Sequence, residues 1–244
     1  MNYFAHGWKH VGEPYFLAGT AIPDWLCVVD RRVRVTSKLA RPFVSAPDPL
    51  LASVAAGIVA HHRDDERFHR AAAFAELSIR FSREIRALLP GDESLRPSFL
   101  GHILVEILLD AELIAGHPER LADYYQALES LDPRVVNEAV NRIAKTPTPL
   151  LAAFLPRFIA ERFLYDYADD GKLLVRLNHV MRRVGLKPLP ETFCGLLPAA
   201  RADVRQHVPD LLDGHAADKA LVGTCLARPT TNDAIPDDNS QGAF

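Results

Sequence analysis

At 244 residues, 48% of them hydrophobic and 24% charged, the chain is long enough to bury the core of one large domain or two small ones. A formal net charge of -3 with no basic stripe argues against nucleic acid as a partner. The three cysteines, Cys27, Cys194 and Cys225, are odd in number, far apart and free of CxxC spacing; they exclude a disulfide framework and fit a reducing cytoplasm.

The chain opens with MNYFAHGWKH, which has no apolar run suited to a signal peptide or a membrane span, and no later stretch could cross a bilayer without charges. The expectation is a soluble, cytoplasmic protein. Strand signals are scarce, because the one β-branched cluster, 33–36, sits among arginines and a lysine. Helical periodicity dominates. It predicts helices over 50–62 and 68–89, a turn at 90–94 (PGDES), and a helix over 98–115 that is apolar nearly all round and therefore central. Further helices are predicted over 118–131, 133–144, 149–167, 173–184 and 199–212, several opening on proline. The segment 228–244 is polar and rich in Pro, Asp and Asn, the composition of a disordered tail. The expected fold class is all-α: a single-domain helical bundle over 1–227, with a loose end over 228–244.

Ionisable groups concentrate early. Six of the ten histidines, namely His6, His10, His61, His62, His69 and His102, fall within the first 102 residues. His61, Asp65 and His69 stand at i, i+4 and i+8, which stacks them on one helical face over two turns. His102, Glu106 and Asp110 repeat that spacing, and they interrupt an apolar run, so this helix has to bury its stripe. Buried carboxylates and an imidazole without partners cost several kcal/mol. A divalent cation removes that cost by making ligands of them, and helix bundles build such sites from inward-facing side chains. Pairing of Glu106 and Asp110 with arginines, or their capping of backbone groups, is the competing reading of one stripe; two matched stripes favour metal. His6, in an apolar start, and Asp24, which closes GTAIPD and could cap a helix beginning at Trp25, are weaker candidates on their own. No GxSxG, P-loop or GxGxxG is present, which removes support for serine hydrolases, P-loop enzymes and dinucleotide folds. Phe158, Phe163, Tyr165 and Tyr167 read as core.

MNYFAH at the start, GTAIPDW at 19–25, AGIVAHHRDDERF at 56–68 and ILLDAEL at 107–113 resemble, in that order, motifs of the acyl carrier protein phosphodiesterase family. YDYADDGKLLVRLNHVMRRVGL at 165–186 resembles its later helices, so the likeness spans most of residues 1–190. That family is helical and metal-dependent, an outlying member of the HD phosphatase/phosphodiesterase superfamily. The resemblance implies an HD-like architecture, hydrolysis of a phosphoric ester, an acyl carrier protein partner, and metal or catalytic positions at His6, Asp24, His61, Asp65 and Asp110. The chain departs from the family at Trp8, where a second histidine is usual, at Phe68-His69, where Thr-Asp is usual, and at Ala111, where a histidine is usual. His102 and Glu106 have no counterpart in it.

Together these readings predict one or two divalent ions (Mn, Fe or Zn) bound by His6, Asp24, His61, Asp65, His69, His102, Glu106 and Asp110. Such an ion acidifies water and polarises a phosphoryl oxygen, with Asp65, Asp24 or Glu106 handling the proton. Arg31, Arg32, Arg34, Lys38 and Arg41 could dock an acidic carrier. Zinc-phospholipase-like or di-iron chemistry on the same ligands, and a non-enzymatic helical protein, are the alternatives. Asp64 and Glu112, one step round their helices, are expected to point away and to tolerate alanine. Deleting 228–244 is expected to leave the melting temperature and any activity nearly unchanged, since the segment has few apolar residues to bury. A fall of several degrees in a thermal melt would show that it docks.

Overall fold

Prolines set the helix starts. In a computed structural model describing residues 1–90 and 96–213, the helices are α1 (Tyr3–Gly7), α2 (Pro14–Val29), α3 (Ser37–Ala40), α4 (Pro49–Arg70), α5 (Ala72–Leu88), α6 (Pro97–Gly116), α7 (Pro118–Glu129), α8 (Pro133–Ile143), α9 (Leu150–Glu161), α10 (Asp170–Arg183) and α11 (Leu197–Asp213). Short 3-10 turns cover Arg41–Phe43, Phe163–Ala168 and Glu191–Gly195. Five helices open on proline, whose missing N–H is one the first turn leaves unpaired anyway. Aspartate caps add to this: Asp48 accepts from the amides of Leu50 and Leu51, and Asp132 from that of Arg134. No strand occurs among the described residues, and none of the helices there is long and apolar enough to cross a membrane.

The structure redraws several expected boundaries. The charged stretch 61–69 is helix throughout, and the break falls at Ala71, whose extended ψ of 133° turns α4 into α5. The first ionisable stripe therefore lies on one uninterrupted helix. Asp24 does not cap a helix beginning at Trp25; it sits inside α2, one residue after the internal Pro23 that disguised the helix in the sequence. The expected helix 149–167 stops at Arg162, whose left-handed backbone (φ 45°) leads into a 3-10 turn. The segment 33–36 forms no strand; its Val35 carbonyl accepts a hydrogen bond from His62 Nε2 at 2.7 Å. The expected turn beyond Pro90 and the tail at 228–244 lie outside the described residues.

α6 is the central helix, buried along most of its length and packed on α1, α5, α7 and α11. α2 lies against α4, and their crossing is backbone on backbone. A Cβ added to Gly19 would come 2.3 Å from the Val54 carbonyl oxygen, and one on Gly57 would come 2.2 Å from that of Phe16. A second tight crossing joins α5 and α6, where a Cβ on Gly101 would come 2.5 Å from the Ser78 carbonyl oxygen. Both crossings stand beside residues of the ionisable groups or their partners: Thr20, whose carbonyl meets His61, follows Gly19, His61 is one turn beyond Gly57, and His102 follows Gly101. Gly57→Ala and Gly19→Ala should each destabilise the fold by about 1–3 kcal/mol, because backbone cannot rotate away as a side chain can. Gly116→Ala, at a helical position with nothing within 4 Å of the added carbon, should be neutral or stabilising by up to about 1 kcal/mol. Equal effects in denaturant unfolding would overturn the assignment of these crossings.

Candidate metal centre

The centre is assembled by docking the N-terminal segment onto α6. The first amides of a helix have no internal partners. In α1 two of them are met by one buried carboxylate: Asp110 Oδ2 accepts from Phe4 N at 3.0 Å and Oδ1 from Ala5 N at 2.7 Å. Tyr3 packs edge-on to Phe163, and Phe4 edge-on to Tyr124, so aromatic contacts hold the segment down on either side. His6, one turn on, is thereby carried into the interior. Its ring stacks on that of His61 with centroids 4.1 Å apart.

Two groups of ligand-type atoms result, each drawn together within 4.8 Å: His6, His61 and Asp65, and His69, His102 and Glu106. In the first, His6 Nε2 lies 3.5 Å from Asp65 Oδ1, and His61 Nε2 lies 3.9 Å from Asp65 Oδ2. His61 Nδ1 stands 2.8 Å from the Thr20 carbonyl oxygen. A carbonyl can only accept, so Nδ1 carries the proton and Nε2 is left as a lone pair facing Asp65. In the second group, His69 Nε2 and His102 Nε2 are 3.3 Å apart, and each is 3.3 Å from Glu106 Oε1. The groups adjoin. The Met1 ammonium stands between them, 2.6 Å from Asp65 Oδ1 and 3.2 Å from Glu106 Oε1.

Electrostatics divide the four carboxyl groups into two kinds. Burial pushes Asp65 up, but the Met1 ammonium, 2.6 Å away, outweighs it and holds the group well below the usual carboxylate range. Glu106 behaves alike: burial raises it, while the ammonium, His102 and His69 bring it below its ordinary value. Asp24 is the opposite. Burial, reinforced by the negative charge of Asp65, pushes it well above its ordinary value and favours its protonated form. Asp110 is pushed up to about 7 by burial, against the pull of the Phe4 and Ala5 amides. Burial also lowers His6 and, more strongly, His61, which keeps both imidazoles neutral, the form that can bind a metal.

Of the eight expected ligands, the structure gathers six into the two groups. Asp24 stands at the edge, inside α2 and within electrostatic reach of Asp65 and Glu106. Asp110 spends both oxygens on the amides of α1. Glu112 does not point to solvent as expected; it is buried, with Oε2 2.6 Å from Arg205 Nε, and its removal would strand that contact. Asp64 is met by Arg63 at 3.0 Å. Several basic residues of the loop after α2 are spent locally, Arg32 on Asp30, Arg31 on the Cys27 carbonyl and Arg41 on Ser37. The Thr20 carbonyl and the Met1 amino group had no signal in the sequence, because both are backbone atoms brought in by tertiary packing. Neither family models, curated proteins nor solved structures yield a match to this chain.

The raised Asp110 makes its contribution to stability depend on pH. The folded group, at about 7, binds a proton more tightly than the unfolded one, at 3.8, so stability falls as pH rises through that window, by about 1.4 kcal/mol per unit. The stability of the protein relative to its Asp110→Asn variant should therefore decline between about pH 4 and pH 7 and level off above. A relative stability that is flat over this range in urea titrations would show that Asp110 ionises freely.

Proposed function

We propose that this chain is a metal-dependent hydrolase of phosphoric esters, HD-like in its helical arrangement, with the two His/carboxylate groups as its metal centre. The observation that carries the reading is the pair of adjoining groups, each with two imidazoles and one carboxylate within 4.8 Å. The donor chemistry fits a divalent ion. Both ring nitrogens of His6 and Glu106 Oε2 are buried with no hydrogen-bond partner among the described residues, a costly state that coordination at one His6 nitrogen and at Glu106 would relieve. Mixed imidazole and carboxylate donors suit Zn, Mn or Fe.

His6, His61 and Asp65 would hold one ion and His69, His102 and Glu106 a second, or the two groups would share one. A bound cation supplies the acidification of water and the neutralisation of charge on a phosphoryl oxygen. The protein's own groups supply the rest. Asp65 and Glu106, held ionised, bring the negative charge that retains the cation. The Thr20 carbonyl fixes the tautomer and direction of His61. Asp24, whose carboxyl burial pushes up, would give a proton to the leaving oxygen. Where the two groups share one ion, whichever of Asp65 and Glu106 is left uncoordinated would take one from water. The phosphoric ester as substrate class, and acyl carrier protein as its bearer, follow from the family resemblance of residues 1–190.

Titration of purified protein with Mn2+, Zn2+ or Fe2+ should show one or two equivalents bound and a raised melting temperature. Saturation a hundredfold above the dissociation constant corresponds to about 2.7 kcal/mol of stabilisation. Hydrolysis of bis(p-nitrophenyl) phosphate should be lost on chelation and return with metal, while Asp65→Asn and Glu106→Gln should lose both metal and turnover. A melting temperature indifferent to every metal, or hydrolysis that survives chelation, would overturn the reading.

A further inference from the structure

A cavity of about 510 Å³ lies among α2, α6, α9 and α10, with Asn2 and Tyr3 forming one wall. Its volume is that of a small-molecule site. The lining joins two chemistries that a structural void does not need together. One is aromatic: Tyr3, Phe154, Phe158, Phe163 and Tyr167 line it. Tyr3, Phe158 and Phe163 are already tilted or edge-on to one another at centroid separations of 5.2–5.8 Å, an array into which a further ring fits by the same quadrupole preference. The other is cationic, since Arg157, Arg176 and Arg183 face the cavity against a single acidic residue, Glu161.

These arginines are not equivalent. Arg176 is neutralised by Glu161 at 2.6 Å and by Asp166 at 2.8 Å through Nε, and it lies over the Phe163 ring. It is part of the scaffold. Arg183 is half-buried and makes no hydrogen bond or ion pair with any described residue. Burial and the like charge of Arg31 both act against its protonated form, though a guanidinium stays charged regardless. A partly desolvated cation with no counter-charge is an unfavourable arrangement that an anion would relieve.

We infer that this cavity is a binding site for an aromatic organic anion, a planar ring bearing a carboxylate or phosphate, with the ring among Tyr3, Phe158 and Phe163 and the anionic group on Arg183. The same short segment serves both sites: residues 2 and 3 wall the cavity, while His6 belongs to the metal groups. The inference does not depend on the metal reading, because none of the residues gathered into the two metal groups lines the cavity.

The experiment is calorimetric titration of the full chain with 2-naphthoate and with its neutral isostere 2-naphthamide, in the presence of chelator. Naphthoate should bind the wild type at least tenfold more tightly than naphthamide. Arg183→Gln should erase that difference, and Arg183→Lys, which keeps the charge and stem, should retain part of it. Equal binding of the two ligands to the wild-type protein would overturn the inference without recourse to any variant. So would an Arg183→Gln protein that is folded by its melting curve and still prefers the anion. Displacement of naphthoate by 1-naphthyl phosphate but not by inorganic phosphate would identify the ring as necessary, whereas equal displacement by inorganic phosphate would reject the aromatic part of the site.

Discussion

The stripe of ionisable groups on α6 is the constraint around which the molecule is organised. A helix apolar on nearly every face has to lie in the centre, and it takes Glu106 and Asp110 in with it. Neither carboxylate can be left alone there, since an unpartnered buried charge costs several kcal/mol. The fold answers each differently. Asp110 receives the exposed amide end of a five-residue helix that would not be stable by itself. Glu106 receives His102 from its own helix, His69 from the end of α4, and the positive charge of the Met1 amino group. Docking of the N-terminal segment, the position of His6 and the convergence of the two stripes all follow from satisfying these two groups.

Precision comes from glycine. Two helices that meet through side chains stand 8–10 Å apart and can slide as those side chains adjust. The Gly19–Gly57 contact removes the side chains and lets carbonyl oxygens meet Cα atoms, so the register of α2 on α4 is set by rigid backbone. His61 reaches the Thr20 carbonyl because of that register. Gly101 does the same for α6 on α5, next to His102. A site built on helices held this way keeps its donors in place before any ligand arrives, which is the condition for tight coordination.

The N-terminal segment divides two environments. On one side lie imidazoles and carboxylates with unpartnered nitrogens and oxygens; on the other lies an aromatic cavity with an unpaired guanidinium. Asn2 ties this segment across to Tyr167 through a 3.1 Å hydrogen bond. A ligand in the cavity would therefore touch the residues that deliver His6.

The all-helical class and most of the helices were legible in the sequence, because apolar residues at three- and four-residue steps and proline at first turns are local signals. The central place of α6 was legible too, since a helix without a polar face has nowhere else to go. The i, i+4, i+8 spacings put each stripe on one face by helical geometry alone. What the sequence did not determine was how the stripes would be shared out. His69 leaves the first stripe to join His102 and Glu106, Asp110 turns to the backbone of α1, and Glu112 pairs with Arg205. The α2 helix was masked by Pro23, because an internal proline reads locally as a boundary even where packing carries the helix through it. Those outcomes depend on helix register and on which backbone groups arrive beside a side chain. Both are properties of long-range packing, with partners from 33 to 106 residues apart in the chain, and no local pattern encodes them.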